Sequence, residues 1–252
     1  MELIDTHCHI HDADYKIEPN IAIDNALKNG VTKLICVGTD VNTSKQAIDF
    51  VKTIPNTWAT IGLHPHDAKL GQSAFDALKK MVNSPKVVGI GECGLDYYYN
   101  YSDKKDQFMA LEFQMQLALD NNLPMAFHVR DAFDDFWPIF DNFNGLRGVV
   151  HSFTATTHEL DQVLTRNLLV GLNGIMTFTK NLQQLQMAKA VPLKALVLET
   201  DAPYLTPKPI RGTINEPKNI KLIAEYLADL RGEDLNSLCR ATTLNASRMF
   251  GL

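Results

Sequence analysis

Residues 125–153 carry the reading on which the fold turns: Met125-Ala-Phe-His-Val129, an amphipathic stretch from Ala132 to Phe143, then Gly148-Val-Val-His-Ser-Phe153. Two short apolar runs separated by a helix-like segment make one strand–helix–strand unit, and such units build parallel sheets through right-handed crossovers. The pattern repeats in both directions. Upstream lie Leu3-Ile-Asp-Thr-His7, Lys33-Leu-Ile-Cys-Val-Gly38, Trp58-Ala-Thr-Ile-Gly-Leu63 and Val87-Val-Gly-Ile-Gly-Glu92. Downstream lie Leu168-Leu-Val-Gly-Leu-Asn173 and Ala195-Leu-Val-Leu-Glu-Thr200. Helix-like segments fall between them, among them Asp103 to Asp120, where Phe108, Leu111, Met115 and Leu119 recur at spacings of three and four, and His158 to Arg166.

Eight strands at intervals of roughly 28 residues predict an α/β fold, a single (β/α)8 TIM barrel of about 250 residues. A doubly wound open sheet is the alternative, but it uses fewer strands and a glycine-rich turn after the first. Here the first strand runs into His7-Cys8-His9, and no GxGxxG is present. A proline-rich loop follows the eighth strand, from Asp201 to Pro217, and two helices beginning near Glu216 and Asp234 close the chain. No linker divides the sequence, so a single barrel domain is expected over residues 1–252.

At 45% apolar and 21% charged residues, the composition excludes a disordered chain. No apolar run reaches the roughly 18 residues of a membrane-spanning helix, and the N-terminal segment does not read as a signal peptide. Cys8, Cys36, Cys93 and Cys239 are far apart and form no CxxC pair. They read as free thiols, so a cytoplasmic protein is expected, with no membrane and no obligate protein partner. A net charge of −5 gives no general attraction to phosphate backbones.

In a parallel barrel the active site is built at the C-terminal strand ends. Six of the eight histidines stand there: His7 and His9 after strand one, His64 and His66 after strand three, His128 on strand five and His151 on strand six. Glu92 ends strand four and Asp201 follows strand eight. Side chains alternate along a strand, so His7 and His9 share a face about 7 Å apart while Cys8 points away. A lone buried histidine is usually a hydrogen-bonded core residue, and a single His-x-His pair decides little. His7, His9, Glu92, His128, His151 and Asp201 together are too many for one zinc site. They suit two divalent ions (Mg, Mn or Zn) about 3.5–4 Å apart, bridged by a carboxylate, and Glu92 is the candidate bridge.

Among the other rim residues, His64 and Arg130 are the candidates for binding substrate phosphate. His66 could bind phosphate or orient a ligand. His11 lies in the loop beyond strand one. Lys208 and Arg211 could steer a phosphate or be solvated. Tyr97, Tyr98 and Tyr99 suit either a base-stacking platform or a capping loop. Neither a GxSxG elbow nor a P-loop is present, and Cys8 and Cys93 should face away from the site.

The runs Ile4-Asp-Thr-His-Cys-His9, Gly89-Ile-Gly-Glu-Cys-Gly-Leu-Asp96, Phe127-His-Val-Arg-Asp131, His151-Ser-Phe-Thr154 and Leu198-Glu-Thr-Asp-Ala-Pro-Tyr-Leu205 resemble the TatD family of metal-dependent deoxyribonucleases, which are amidohydrolase-like barrels. The resemblance extends through Arg211-Gly-Thr-Ile-Asn-Glu-Pro217 to the terminal helices. It implies metal ligands at His7, His9, Glu92, His128, His151 and Asp201, and metal-supported DNA cleavage, in some members as 3′ exonucleases. It also implies that Glu92 takes the bridging place that a carboxylated lysine holds in related hydrolases. One departure is Ala155, where the family commonly has glycine after His-Ser-Phe-Thr; this bears on the shape of that loop.

The expected activity is therefore two-metal hydrolysis of DNA phosphodiesters, with single-stranded DNA or 3′ ends as substrate. Glu92 and Asp201 are the catalytic carboxylates, and Asp201 both ligates and accepts the proton of the attacking water. One alternative is a barrel metal hydrolase acting on an ester or amide bond, for example in aminoacyl-tRNA deacylation, because one rim can serve many chemistries. A non-enzymatic scaffold with an inherited site is the other.

Overall fold

The computed structural model describes residues 2–252. Eight strands alternate with helices in chain order: β1 (Leu3–Cys8), α1 (Pro19–Lys28), β2 (Val31–Val37), α2 (Val41–Thr53), β3 (Thr57–Ile61), α3 (Gly71–Met81), β4 (Val87–Asp96) and α4 (Lys104–Asp120). The second half continues with β5 (Met125–Arg130), α5 (Phe133–Phe140), β6 (Gly148–Val150), α6 (Thr157–Thr165), β7 (Leu169–Leu172), α7 (Leu182–Ala190) and β8 (Leu196–Leu198). The last two helices are α8 (Ile220–Arg231) and α9 (Leu235–Phe250). The strands form one sheet in the order β1 to β8, the order of a (β/α)8 barrel. Contacts divide the chain into two compact units, residues 1–35 with 151–252 and residues 36–150.

In the unit formed by the two ends of the chain, the first strand meets the last. Cys8 bridges to Ala202 in parallel. The His9 N–H donates to the Ala202 carbonyl at 2.7 Å, and the Asp201 N–H to the His7 carbonyl at 2.8 Å. Further down, Thr6 Oγ1 donates to the Leu198 carbonyl. Helix α9 braces this seam through Asn245, whose Nδ2 donates to the carbonyls of Leu193 and Leu196. Its termini follow ordinary capping rules: Asp234 accepts from the Ser237 N–H, and Gly251 ends the helix in the left-handed region that glycine tolerates.

The middle unit holds β3 to β6 in parallel register. Helix α2 starts with a capping box between Asp40 and Thr43. Phe127 of β5 packs edge-on against Phe136 and Phe140 of α5. Helix α4 differs from the sequence expectation in a telling way. Leu111 and Met115 are buried, but the stripe also contains Gln107 and Gln114, while Phe108 and Leu119 stay part-exposed. Two buried glutamines interrupt the apolar periodicity because each bonds a strand end.

Candidate metal centre

Five of the six residues expected as ligands fall near or just beyond strand ends, Glu92 lies within β4, and each unit gathers its own group. In the end-to-end unit, ligand atoms of His7, His9 and Asp201 all lie within 4.8 Å of one another. Nε2 of His9 is 3.3 Å and Nε2 of His7 is 3.8 Å from the same oxygen, Oδ1 of Asp201. The rings of His7 and His9 meet edge to face at 5.0 Å, so two imidazoles from adjacent pleats converge as strand alternation requires. His151 stacks on His7 with centroids 3.9 Å apart. Asp201 has φ 59°, in the left-handed region that aspartate tolerates better than most residues. Burial pushes its carboxyl pKa up, but the hydrogen bond from His9 and the charges of His9, His7 and His151 outweigh this, and the net direction is down.

Buried carboxylates stand behind this group. Oε1 of Glu199 lies 3.4 Å from Nδ1 of His151 and accepts from the Ser152 N–H at 2.6 Å. The site leaves no room for a side chain at Gly171, where a Cβ would stand 2.2 Å from Glu199 Oε2. Asp5 is fully buried and accepts from the Thr200 hydroxyl at 2.5 Å and its N–H at 2.9 Å. Burial raises its pKa to about 7, against the lowering effect of those bonds.

In the middle unit, ligand atoms of His64, Glu92 and His128 likewise fall within 4.8 Å of one another. The register of β4 on β5 shifts between Ile90 and Cys93, placing an extra residue at Glu92. A bulge there re-aims the carboxylate locally. Beyond the bulge the strands press together so closely that a Cβ on Gly94 would lie 1.8 Å from the His128 carbonyl oxygen. His128 sits between two carboxylates: Nδ1 is 2.8 Å from Glu92 Oε1 and Nε2 is 2.9 Å from Asp96 Oδ2. A histidine whose far nitrogen donates to a carboxylate presents its other nitrogen as a lone pair, the usual arrangement behind a metal.

His64 plays a different part. Its Nδ1 accepts from the His66 N–H at 3.1 Å, which puts the proton on Nε2, 3.4 Å from Glu92 Oε1. Burial, helped by the neighbouring His128, lowers its pKa to about 4. A neutral ring that donates through Nε2 suits the expected contact with an anionic oxygen better than coordination of an ion. Arg130 is exposed and pairs with no carboxylate among the described residues; its guanidinium lies over the rings of Tyr98 and Tyr99.

Several residues that hold the site were not singled out from the sequence. Asp96 ends β4, which runs four residues past Glu92. Glu92, Gly94 and Asp96 alternate, so reading the strand to its true end would have exposed Asp96. Its Oδ2 accepts from His128 and from His66 Nε2 at 3.1 Å, and its Oδ1 from the N–H groups of Tyr98 and Tyr99, both at 2.9 Å. Burial raises its pKa, but these bonds outweigh that and hold it well below the usual carboxylate range. Gln107 clamps Asp96, its Oε1 accepting from the Asp96 N–H at 2.9 Å and its Nε2 donating to the Asp96 carbonyl. Gln114 does the same for Leu63, just before His64.

The remaining rim residues resolve individually. His66 orients Asp96. The His11 ring is buried with Nε2 3.1 Å from Asp12 Oδ1. Tyr97 is engaged by other partners: its hydroxyl donates to Asp135 at 2.6 Å and Lys104 sits over its ring. Arg211 donates to the Thr206 carbonyl and covers Phe178, holding its own loop. All four cysteines are buried and none forms a disulfide.

The donor chemistry fits divalent ions. Each unit offers imidazole nitrogens beside a carboxylate oxygen, a set that suits Zn and Mn and admits harder ions through its oxygens. His128 and His151 each have a carboxylate behind the ring, as ligating histidines do.

Comparison with known proteins agrees. The TatD related DNase family matches residues 4–251. The "uncharacterized metal-dependent hydrolase YabD" of Bacillus subtilis is 33% identical over 251 residues, covering 98% of each chain. The "3′-5′ ssDNA/RNA exonuclease TatD" of Escherichia coli K12 is 34% identical over 238 residues, 90% of each chain. The crystal structure of the TatD homologue YjjV from E. coli superposes with a TM-score of 0.92 over 99% of this chain and 98% of that one, at 24% identity, and shares the barrel fold. Across this span, the chain belongs to the TatD related DNase family of metal-dependent hydrolases.

Proposed function

We propose that this chain is a divalent-metal-dependent deoxyribonuclease that removes nucleotides from the 3′ ends of single-stranded DNA, acting as one hydrolase domain over residues 1–252. The observation that carries the reading is the pair of donor groups, His7–His9–Asp201 and Glu92–His128 beside His64, each within coordination reach of one ion. The exonuclease relatives at about a third identity support the substrate class. His7, His9, His151 and Asp201 would hold metal in one unit, and Glu92, the proposed bridging carboxylate, and His128 in the other.

Divalent ions held there would lower the pKa of a water and neutralise charge on the phosphoryl oxygens. The protein's own groups supply the rest. Asp201 accepts the proton of the attacking water through the oxygen that His9 does not engage. His64 donates from Nε2 to a phosphoryl oxygen as negative charge builds on it. Arg130 adds a fixed cation for the phosphate. Asp96 and Glu199 hold the rings of His128 and His151. Four buried thiols outside any disulfide suit a cytoplasmic protein; among the described residues no helix is long and apolar enough to cross a membrane.

The deciding experiment reconstitutes the protein with Mn, Mg or Zn and offers 3′-labelled single-stranded DNA, duplex DNA, an ester, a lactone and an aminoacyl-tRNA. Metal-dependent release of 3′ nucleotides is expected. Turnover of the ester or the aminoacyl-tRNA alone would replace this reading with the ester or amide hydrolase.

A further inference from the structure

Three tyrosines in the turn after β4 are left in solvent, which is unusual for so much aromatic surface in four residues. Tyr98, Tyr99 and Tyr101 are 60%, 45% and 59% exposed. They are nonetheless ordered relative to one another. Tyr99 and Tyr101 stack with centroids 5.5 Å apart and planes 19° from parallel, and Tyr98 meets Tyr99 edge to face at 4.8 Å. The guanidinium of Arg130 lies 4.0 Å from the Tyr98 ring centroid and 4.9 Å from that of Tyr99.

The cluster adjoins the candidate metal centre. His66 packs its edge on Tyr99 at 5.3 Å and on Tyr101 at 4.8 Å, and its Nε2 reaches Asp96. That carboxylate binds His128 through Oδ2 and the backbone of the tyrosine turn through Oδ1. One buried side chain therefore fixes both a proposed ligand and the aromatic turn. An exposed ring face costs little entropy to recruit when its backbone is already held.

We propose that Tyr98, Tyr99 and Tyr101, with Arg130, form a stacking platform for nucleobases at the 3′ end of a single strand. The proposal rests on the nuclease reading and adds to it the part of the substrate that is held. Aromatic faces beside a cation match the two chemistries of a nucleotide, a π-faced base and a charged phosphate. Such stacking tolerates any base, so the platform confers a preference for bases over their absence and none among the four. It also explains how a chain of net charge −5 engages nucleic acid, because stacking does not need a long basic groove.

The test compares initial rates, as kcat/KM in Mn, on two fluorescein-labelled 12-mers of thymidine, one with its three 3′-terminal nucleotides replaced by abasic tetrahydrofuran residues. The unsubstituted protein is expected to prefer the base-bearing strand by about 10-fold or more. In the Tyr98→Ala, Tyr99→Ala, Tyr101→Ala triple variant, folded by circular dichroism, the ratio falls toward one. Tyr99→Phe, which keeps the ring face, retains it. Equal cleavage of both strands by the unsubstituted protein overturns the platform and leaves the nuclease reading standing. A triple variant that still discriminates overturns the platform as well. Failure to cleave either strand overturns both.

Discussion

His128 is gripped between two carboxylates, Nε2 at 2.9 Å from Asp96 Oδ2 and Nδ1 at 2.8 Å from Glu92 Oε1. With Nε2 donating to Asp96, Nδ1 would be left as the lone pair available to a metal. An amide at this position can turn its NH2 toward Nε2 and favour the opposite tautomer. Asp96→Asn is therefore expected to weaken divalent-ion binding by about 10- to 100-fold, measured by titration calorimetry with Mn or Zn. Unchanged affinity and stoichiometry would remove Asp96 from this role.

Asp201 is placed by its backbone, whose N–H donates to the His7 carbonyl, so replacing its side chain leaves the seam between β1 and β8 in place. Asp201→Asn should keep the fold and lose activity by on the order of 10²- to 10⁴-fold, the usual contribution of a positioned base. Chelation of the unsubstituted protein should abolish turnover, and restoring metal should recover it. A variant with full metal-dependent activity would rule out Asp201 as the proton acceptor.

Gln114 is a stability determinant. It satisfies both the N–H and the carbonyl of buried Leu63, and Gln114→Leu would strand both groups. At about 1–3 kcal/mol for each buried polar group left unmade, a lowering of unfolding free energy by about 2–6 kcal/mol is expected in urea melts. A change below about 0.5 kcal/mol would mean that the loop relaxes and finds other partners.

The thiols should be inert in the folded protein. Cys8, Cys36, Cys93 and Cys239 are all buried, burial pushes the Cys93 thiol far up, and burial raises Cys239 to about 11. The thiolate is the reactive form. A colourimetric disulfide reagent should therefore label none within minutes under native conditions and all four in guanidinium. Rapid native labelling would reveal local opening.

The architecture was legible because it is periodic: eight apolar runs, six of them leading into candidate site residues. His7 and His9 could be assigned to one face from alternation alone. The rest was hidden where local pattern and tertiary demand part company. The register shift at Glu92 breaks the alternation on which parity arguments depend. Gln107 and Gln114 look like interruptions in an amphipathic helix until the strand ends they bond are known. Tyr97 is indistinguishable in sequence from Tyr98 and Tyr99, yet it is committed to Asp135. Asp96 lay within a run already noticed, but its value comes from His66 and His128, which lie about 30 residues away on either side.

The bridge between Cys8 and Ala202 has a consequence for how the protein is made. The imidazoles of His7 and His9 leave the ribosome before Asp201, which follows His9 by 192 residues. At about 5–20 residues per second, some 10 s or more of translation separate them. Until Asp201 emerges, a nascent chain holds two of the three members of that candidate group and lacks its carboxylate. If the proposed site is the active one, the segment that follows the last strand is what completes it.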